Sequence, residues 1–334
     1  MRHSASTLSA CLAAAAAIAV VAQAQTPRPV AATVVSKPAP AKTAPVPLLW
    51  KVSDDDNTIY LLGSFHLLKP DDYPLSKDVD EAFADAESIV FELPPEEMSS
   101  PTLAMQMGQA ALRTDGTQLN SELPPQTVAK LDAWLATRAD DLQRTGLAPQ
   151  ALQMFEPWYV GLIITLVDMT RQGLDPKLGL DAHFSAQAKL AKKPTGGFET
   201  GAQQIAFLDG MDRKEQLQFI DEALTEAQEG QNEVEKLHAT WRNGDAAGLW
   251  EGMAADMRRQ YPALYQRINV ERNDAWLPKI EQRLKQPGTD DTLVVVGALH
   301  LLGSDGLVEK LRARGYEVER FCSACQKLPE LLNK

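Results

Sequence analysis

Thr58-Ile59-Tyr60-Leu61-Leu62-Gly63-Ser64-Phe65-His66 decides the architecture, because its pattern returns 234 positions later as Thr292-Leu293-Val294-Val295-Val296-Gly297-Ala298-Leu299-His300. In both stretches a β-type apolar run meets a Gly, and a His follows three residues on. A Leu-Leu pair comes next (Leu67-Leu68 and Leu301-Leu302), then a polar turn, an amphipathic helical pattern and a second strand. Two copies in one order predict an internal duplication that brings both imidazoles to a common place. The Gly provides either a positive φ or room for a close packing contact, after which the His can leave the strand end and enter a cleft.

Working outward from the first copy, Leu49-Trp50-Lys51-Val52 pairs with Thr58 to Leu62 as a hairpin across Asp54-Asp55-Asp56-Asn57. The three aspartates lack the spaced oxygen ligands and the Gly of a calcium loop, so a solvated turn is expected. Ser76 can cap a helix that runs to about Ala86, and Ser88 to Leu93 is a strand stopped by Pro94-Pro95. Glu92 stands at the end of that strand. It is either a strand-end carboxylate facing water or a group aimed at the site of His66, since ligands of α/β sheets collect beyond the carboxyl ends of strands. Outward from the second copy, Leu307 to Arg314 is a helix closed by Gly315, and Tyr316 to Phe321 is a period-2 strand. Cys322 and Cys325 follow; with no second pair to complete a zinc site, a local disulfide is expected.

Between the copies, from about 99 to 285, the pattern is almost wholly helical. Trp158 to Met169 is apolar nearly all round, which marks a buried helix too short to cross a bilayer. Asp181 occupies an N-cap position in Gly179-Leu180-Asp181, and Lys193 to Thr200 is a short extended piece carrying Glu199. At the start of the chain, Arg2 and His3 precede an apolar run from Leu8 to Ala22, and Ala22-Gln23-Ala24 fits a signal-peptidase site. A lipoprotein box at Cys11 has the apolar run on its wrong side. Residues 1–24 are therefore expected to be a cleavable signal, with a periplasmic or secreted destination. Residues 25–47, rich in Pro and Ala, are expected to be a disordered tether, and 48–334 the folded domain. A formal net charge of −12 argues against nucleic acid as a partner, and no membrane span is expected beyond the signal.

Four His remain after residue 24, and two are the GxxH pair. Two imidazoles plus a carboxylate make an open ligand set for a divalent metal, which lowers the pKa of bound water and polarises a carbonyl. The motifs Gly63 to His66, Phe91-Glu92-Leu93, Gly179-Leu180-Asp181 with Phe184, Glu199-Thr200 with Gln203-Gln204, Arg272-Asn273 and Gly297 to His300 resemble the TraB/PrgY/GumN family. The Tiki Wnt-inactivating metalloproteases are related to that family, and the resemblance covers residues 48 to 321.

The resemblance implies an α/β fold shared distantly with erythromycin esterases and ChaN-like haem-binding lipoproteins. Its two pseudosymmetric halves, each strand, GxxH, helix, strand, would form a mixed central sheet interrupted by the helical insertion. For the Tiki branch it also implies a divalent-metal-dependent peptidase with Mn or Co; the ligand types add Zn, and the expectation for this chain is a hydrolase acting on a peptide or small acyl substrate. His66 and His300 would be metal ligands and Glu92 a ligand or general base. Glu199 would be an acid able to take a proton, and Arg272 would stabilise charge on the substrate carbonyl oxygen. Three alternatives stand beside this: a metal-independent esterase-type hydrolase, a haem-binding protein, and a module that sequesters peptides without turnover.

Overall fold

A computed structural model, which describes residues 43–229 and 231–325, arranges the chain around a six-stranded mixed sheet. The signal expected over 1–24 and most of the tether expected over 25–47 lie outside the described residues. The hairpin forms as its apolar alternation predicts. β1 (Leu49–Ser53) runs antiparallel to β2 (Thr58–Ser64), Trp50 facing Leu61 and Val52 facing Ile59. Its turn is tied by Asp54 Oδ1, which accepts from the Asn57 N–H at 3.1 Å, a turn-forming use of aspartate. α1 (Lys77–Asp85) leads to β3 (Ser88–Phe91).

The insertion opens with a ten-residue helix, Pro101–Ala110, and continues as α2 (Pro125–Arg144), α3 (Pro157–Arg171), α4 (Leu180–Ala191), β4 (Thr195–Gly197), α5 (Gly201–Asp209), α6 (Arg213–Glu229), α7 (Gln231–Arg242) and α8 (Glu271–Leu284), with shorter helical turns between. α3 is buried on almost every side, as its continuous apolar run requires. It packs closely on α6, for a Cβ at Gly161 would meet the Phe219 ring at 2.7 Å. The chain closes with β5 (Thr292–Gly297), α9 (Leu307–Ala313) and β6 (Val318–Arg320).

Strand order is β4-β3-β5-β2-β1-β6. β4, β3, β5 and β2 run parallel, whereas β1 is antiparallel to both β2 and β6. The two copies, β2-α1-β3 and β5-α9-β6, lay their first strands side by side and shifted by one residue, Ser64 opposite Gly297. Both GxxH segments therefore leave the sheet at one edge, and β3 and β4 deliver their carboxyl ends to that same edge.

The short extended piece expected over Lys193 to Thr200 contains a strand, for Thr195–Gly197 joins the sheet beside β3. Two expectations are corrected. Asp181 is not an N-cap; Gly179 is, which leaves the Asp181 carboxylate free for the site. The segment 43–47 belongs to the folded body, because the Val46 N–H donates to the Arg242 carbonyl at 2.8 Å, Arg242 Nη2 donates to the Thr43 carbonyl at 2.8 Å, and Pro45 and Pro47 are buried. Cys322 and Cys325 are bridged, with Cα atoms 5.3 Å apart. Ser323 between them donates to Asp78 of α1, fastening the end of β6. Among the described residues no helix is long and apolar enough to cross a membrane.

Candidate functional site

Beyond the carboxyl ends of the four parallel strands, all five residues singled out from the sequence meet. His66 follows β2 and His300 sits in a single 3-10 turn after β5. Glu92 comes one residue past β3. Glu199 follows β4, where its N–H donates to the Glu92 carbonyl at 2.9 Å and continues the ladder. Arg272 reaches in from the first turn of α8. His66, Glu92, Arg272 and His300 are all buried.

Each imidazole is oriented through Nδ1. His66 Nδ1 lies 2.7 Å from Asp181 Oδ2, which also accepts from Ser64 Oγ at 2.5 Å. A carboxylate only accepts, so the proton sits on Nδ1 and Nε2 turns inward. His300 Nδ1 lies 2.7 Å from Asn273 Oδ1. The Asn273 amide cannot be flipped, since its Nδ2 donates to the Asp305 carbonyl at 2.8 Å. His300 therefore also carries its proton on Nδ1 and presents a lone pair at Nε2. Trp276 packs against the His300 ring, centroids 4.4 Å apart.

Both Nε2 atoms converge on one oxygen: Glu92 Oε1 is 3.9 Å from His66 Nε2 and 3.8 Å from His300 Nε2. That oxygen accepts from the Gly297 N–H at 2.8 Å. The other oxygen, Oε2, accepts from Arg272 Nη2 at 2.7 Å. Arg272 also donates through Nε and Nη2 to the two oxygens of Glu199, at 2.8 and 2.9 Å, and its Nη1 lies 3.1 Å from His300 Nε2. Trp276 Nε1 and Gln204 Nε2 donate to Glu199 as well. The Arg272 guanidinium stacks on Trp276, 4.8 Å from the ring centre.

The protonation states follow from these contacts. Burial pushes Glu92 up, but Arg272, the two imidazoles and the Gly297 N–H outweigh it and hold the carboxyl down at about 2, so it is ionised at any physiological pH. Burial and the Arg272 charge push His300 down to about 3, so it is neutral. Burial pushes His66 down too, but the Asp181 carboxylate and Glu92 reverse this and raise it above the ordinary imidazole value.

Gly63 and Gly297 serve close packing and not a positive φ. A Cβ on Gly297 would meet His66 Nε2 at 2.9 Å and Glu92 Oε1 at 3.1 Å, so the missing side chain leaves a small space bounded by the converging atoms. With Nε2 unprotonated, the two imidazoles offer lone pairs that, beside an ionised carboxylate and outer-shell acceptors on both Nδ1 atoms, have the donor chemistry of a divalent-metal site. Among the described residues, however, no three His, Cys, Asp or Glu side chains already stand close enough to hold an ion.

Sequence reasoning gave no site role to Asp181, Asn273 or Trp276. Asp181 lies 115 residues from the imidazole it orients. The signals at hand were the Gly179-Leu180-Asp181 and Arg272-Asn273 segments of the resemblance, which mark positions without saying what they touch.

A family model matches residues 48–320, the whole of the sheet and its insertion. The chain belongs to the TraB/PrgY/gumN family. Among curated proteins, the uncharacterized protein YbaP of Escherichia coli is 26% identical over 170 residues, covering 51% of this chain and 61% of that one, and YbaP of Shigella flexneri matches equally. Zebrafish metalloprotease TIKI1 is 22% identical over 315 aligned positions, covering 81% of this chain and 62% of its own length. The chain thus spans about three fifths of the curated relatives it matches. No solved structure matches it.

Proposed function

We propose that the chain is a hydrolase of peptide or similar acyl bonds in which His66, His300 and Glu92 hold one divalent ion, Mn, Co or Zn. The observation that carries this is the pair of Nδ1 contacts. They fix both tautomers so that two Nε2 atoms face one carboxylate oxygen. A divalent ion held there lowers the pKa of bound water and polarises a carbonyl. The kinship with a protein named a metalloprotease supports the same class.

Within this reading Glu92 is a ligand and not the general base, since a carboxyl held at about 2 has little appetite for a proton. Glu199, which borders the site across Arg272, accepts the proton. Arg272 supplies positive charge for an oxygen that turns negative in the transition state. His66 and His300 act as a unit, so replacing either with Ala removes metal binding and turnover together, and the double variant is hardly worse than each single one. The signal-like Ala22-Gln23-Ala24 stretch and the Cys322–Cys325 bridge support an exported protein working in an oxidising space.

One observation favours a second reading: the Asp181–His66 pair has the form of a metal-free general base with its orienting carboxylate. The deciding experiment is metal analysis of the purified protein beside cleavage of a peptide library with and without EDTA. About one equivalent of metal and cleavage abolished by EDTA is expected. Cleavage indifferent to EDTA would move the assignment to the His66 base, peptides retained but uncut would make the chain a sequestering module, and a Soret band on titration would make it a haem protein.

A further inference from the structure

Arg272 stands where a second cation has to enter. Its fork is shared between two of the three groups assigned above as ligands: Nη2 donates to Glu92 Oε2 at 2.7 Å, and Nη1 lies 3.1 Å from His300 Nε2. The His300 lone pair can be given to the guanidinium or to a metal, not to both at once. Glu92 is likewise neutralised by a charge already in place. This explains how donors of suitable chemistry can surround a Gly297 cradle and still stand 3.8 to 3.9 Å apart across it.

On the far side of the guanidinium, Glu199 takes two hydrogen bonds from Nε and Nη2 and is itself braced by Trp276 and Gln204. It is a second carboxylate already gripping the same side chain. A π-helical turn, Gln266–Val270, directly precedes α8, which begins at Glu271, and such turns inside helices recur at functional sites.

We propose that Arg272 is a resident counter-cation of the site, occupying Glu92 and His300 until a divalent ion displaces it onto Glu199. The inference rests on the metal assignment above and deepens it. Arg272 is then a positioning residue before metal entry, and Glu199 is the latch that keeps its charge beside the site afterwards. The guanidinium also prevents Glu92 from lying buried and unpaired when no ion is bound, a state that costs a fold far more than the ion pair contributes.

The test is a calorimetric titration of the full exported chain with Mn2+, comparing the parent with the double variant Arg272→Met, Glu199→Gln. The double variant removes one positive and one negative charge together, so it leaves the local net charge unchanged and isolates the competition from simple attraction. Its Mn2+ affinity is expected to exceed the parent's by at least tenfold. A structural defect can only weaken binding, so a gain is not explained by damage to the fold. Arg272→Lys keeps the charge but not the planar fork, and it serves as the measurement if the double variant fails to fold; it too is expected to bind more tightly than the parent. Glu199→Gln alone, which removes the latch, is expected to bind less tightly.

Equal or weaker Mn2+ binding by the folded Arg272 variants, with the parent still binding, overturns the displacement and leaves the metal assignment standing. An absence of Mn2+, Co2+ and Zn2+ binding in parent and variants alike overturns both. Binding that appears only once Arg272 is replaced supports the displacement most strongly.

Discussion

At the scale of single residues, the site is held by groups that fix other groups. Gly297 shows how little room they leave. The Cβ of Gly297→Ala would meet His66 Nε2 at 2.9 Å and Glu92 Oε1 at 3.1 Å, and neither can retreat, because Asp181 anchors the imidazole and the Gly297 N–H anchors the carboxylate. The expected result is a loss of about 1–3 kcal/mol in chemical denaturation, the usual size of overpacking, with Mn2+ affinity falling at least tenfold. A variant with both properties intact would mean the space beside Gly297 is no cradle. His66 and His300 could be read from the sequence because the duplication marks them twice, and Glu92 because a carboxylate interrupts an apolar strand end. Asp181 and Asn273 could not, since their role is to accept from an Nδ1 that folding brings near. A helical Asp in a first turn looks the same whether it meets solvent or an imidazole.

At the scale of elements, the four parallel strands set where the site lies. Periodicity exposed β1, β2, β3, β5 and β6 because each alternates or is apolar over several residues, and it exposed α3 because an all-round apolar helix has no other place than the core. It marked Lys193 to Thr200 as extended but gave it no place in the sheet, because two of the three residues of β4 are Gly and leave no alternation to place. It also missed the π-helical turn before α8, since one added residue barely disturbs a helical apolar pattern. That turn sets the phase in which Arg272 and Trp276, four apart, share one face toward the site. The joint between α4 and the first GxxH segment is tighter still. A Cβ on Gly179 would lie 1.9 Å from the His66 carbonyl oxygen, a backbone atom with no freedom to move. Gly179→Ala is therefore expected to push α4 away, part Asp181 from His66, and lower the melting temperature by several degrees. Gly196→Ala, whose Cβ would meet nothing nearer than Arg283 Nη2 at 3.9 Å, is the control expected to melt with the parent. Equal melting of the two variants would show that α4 does not rest on the His66 backbone.

At the scale of the whole molecule, the sheet, the insertion and the segment ahead of β1 are fastened at one buried carboxylate. Asp72, in the loop after the first GxxH, accepts from His238 Nε2 at 2.8 Å, from the Lys69 N–H at 2.7 Å and from Arg242. Arg242 closes α7 and also donates to the carbonyls of Asp71 and Thr43. Trp241 beside it packs on Phe65, centroids 5.7 Å apart. Burial pushes the Asp72 carboxyl up, but these donors, His238 first, outweigh it and hold its pKa below the ordinary value. A carboxyl depressed by folding binds its proton more readily in the unfolded chain. Its contribution is therefore fully present above the unfolded value of about 3.9 and is lost as pH falls through the lower folded value. Asp72→Asn removes the charge while keeping the shape, so at pH 7 it is expected to cost about 3 kcal/mol, the order found when one member of a buried pair is removed. Below about pH 4 the gap in stability between parent and variant should narrow as the parent takes up the proton on Asp72. Denaturation curves for both proteins across pH 7 to 3 decide the matter. A gap as wide at pH 3 as at pH 7 would show that Asp72 acts through packing, and that the fastening of α7 to the sheet does not depend on its charge.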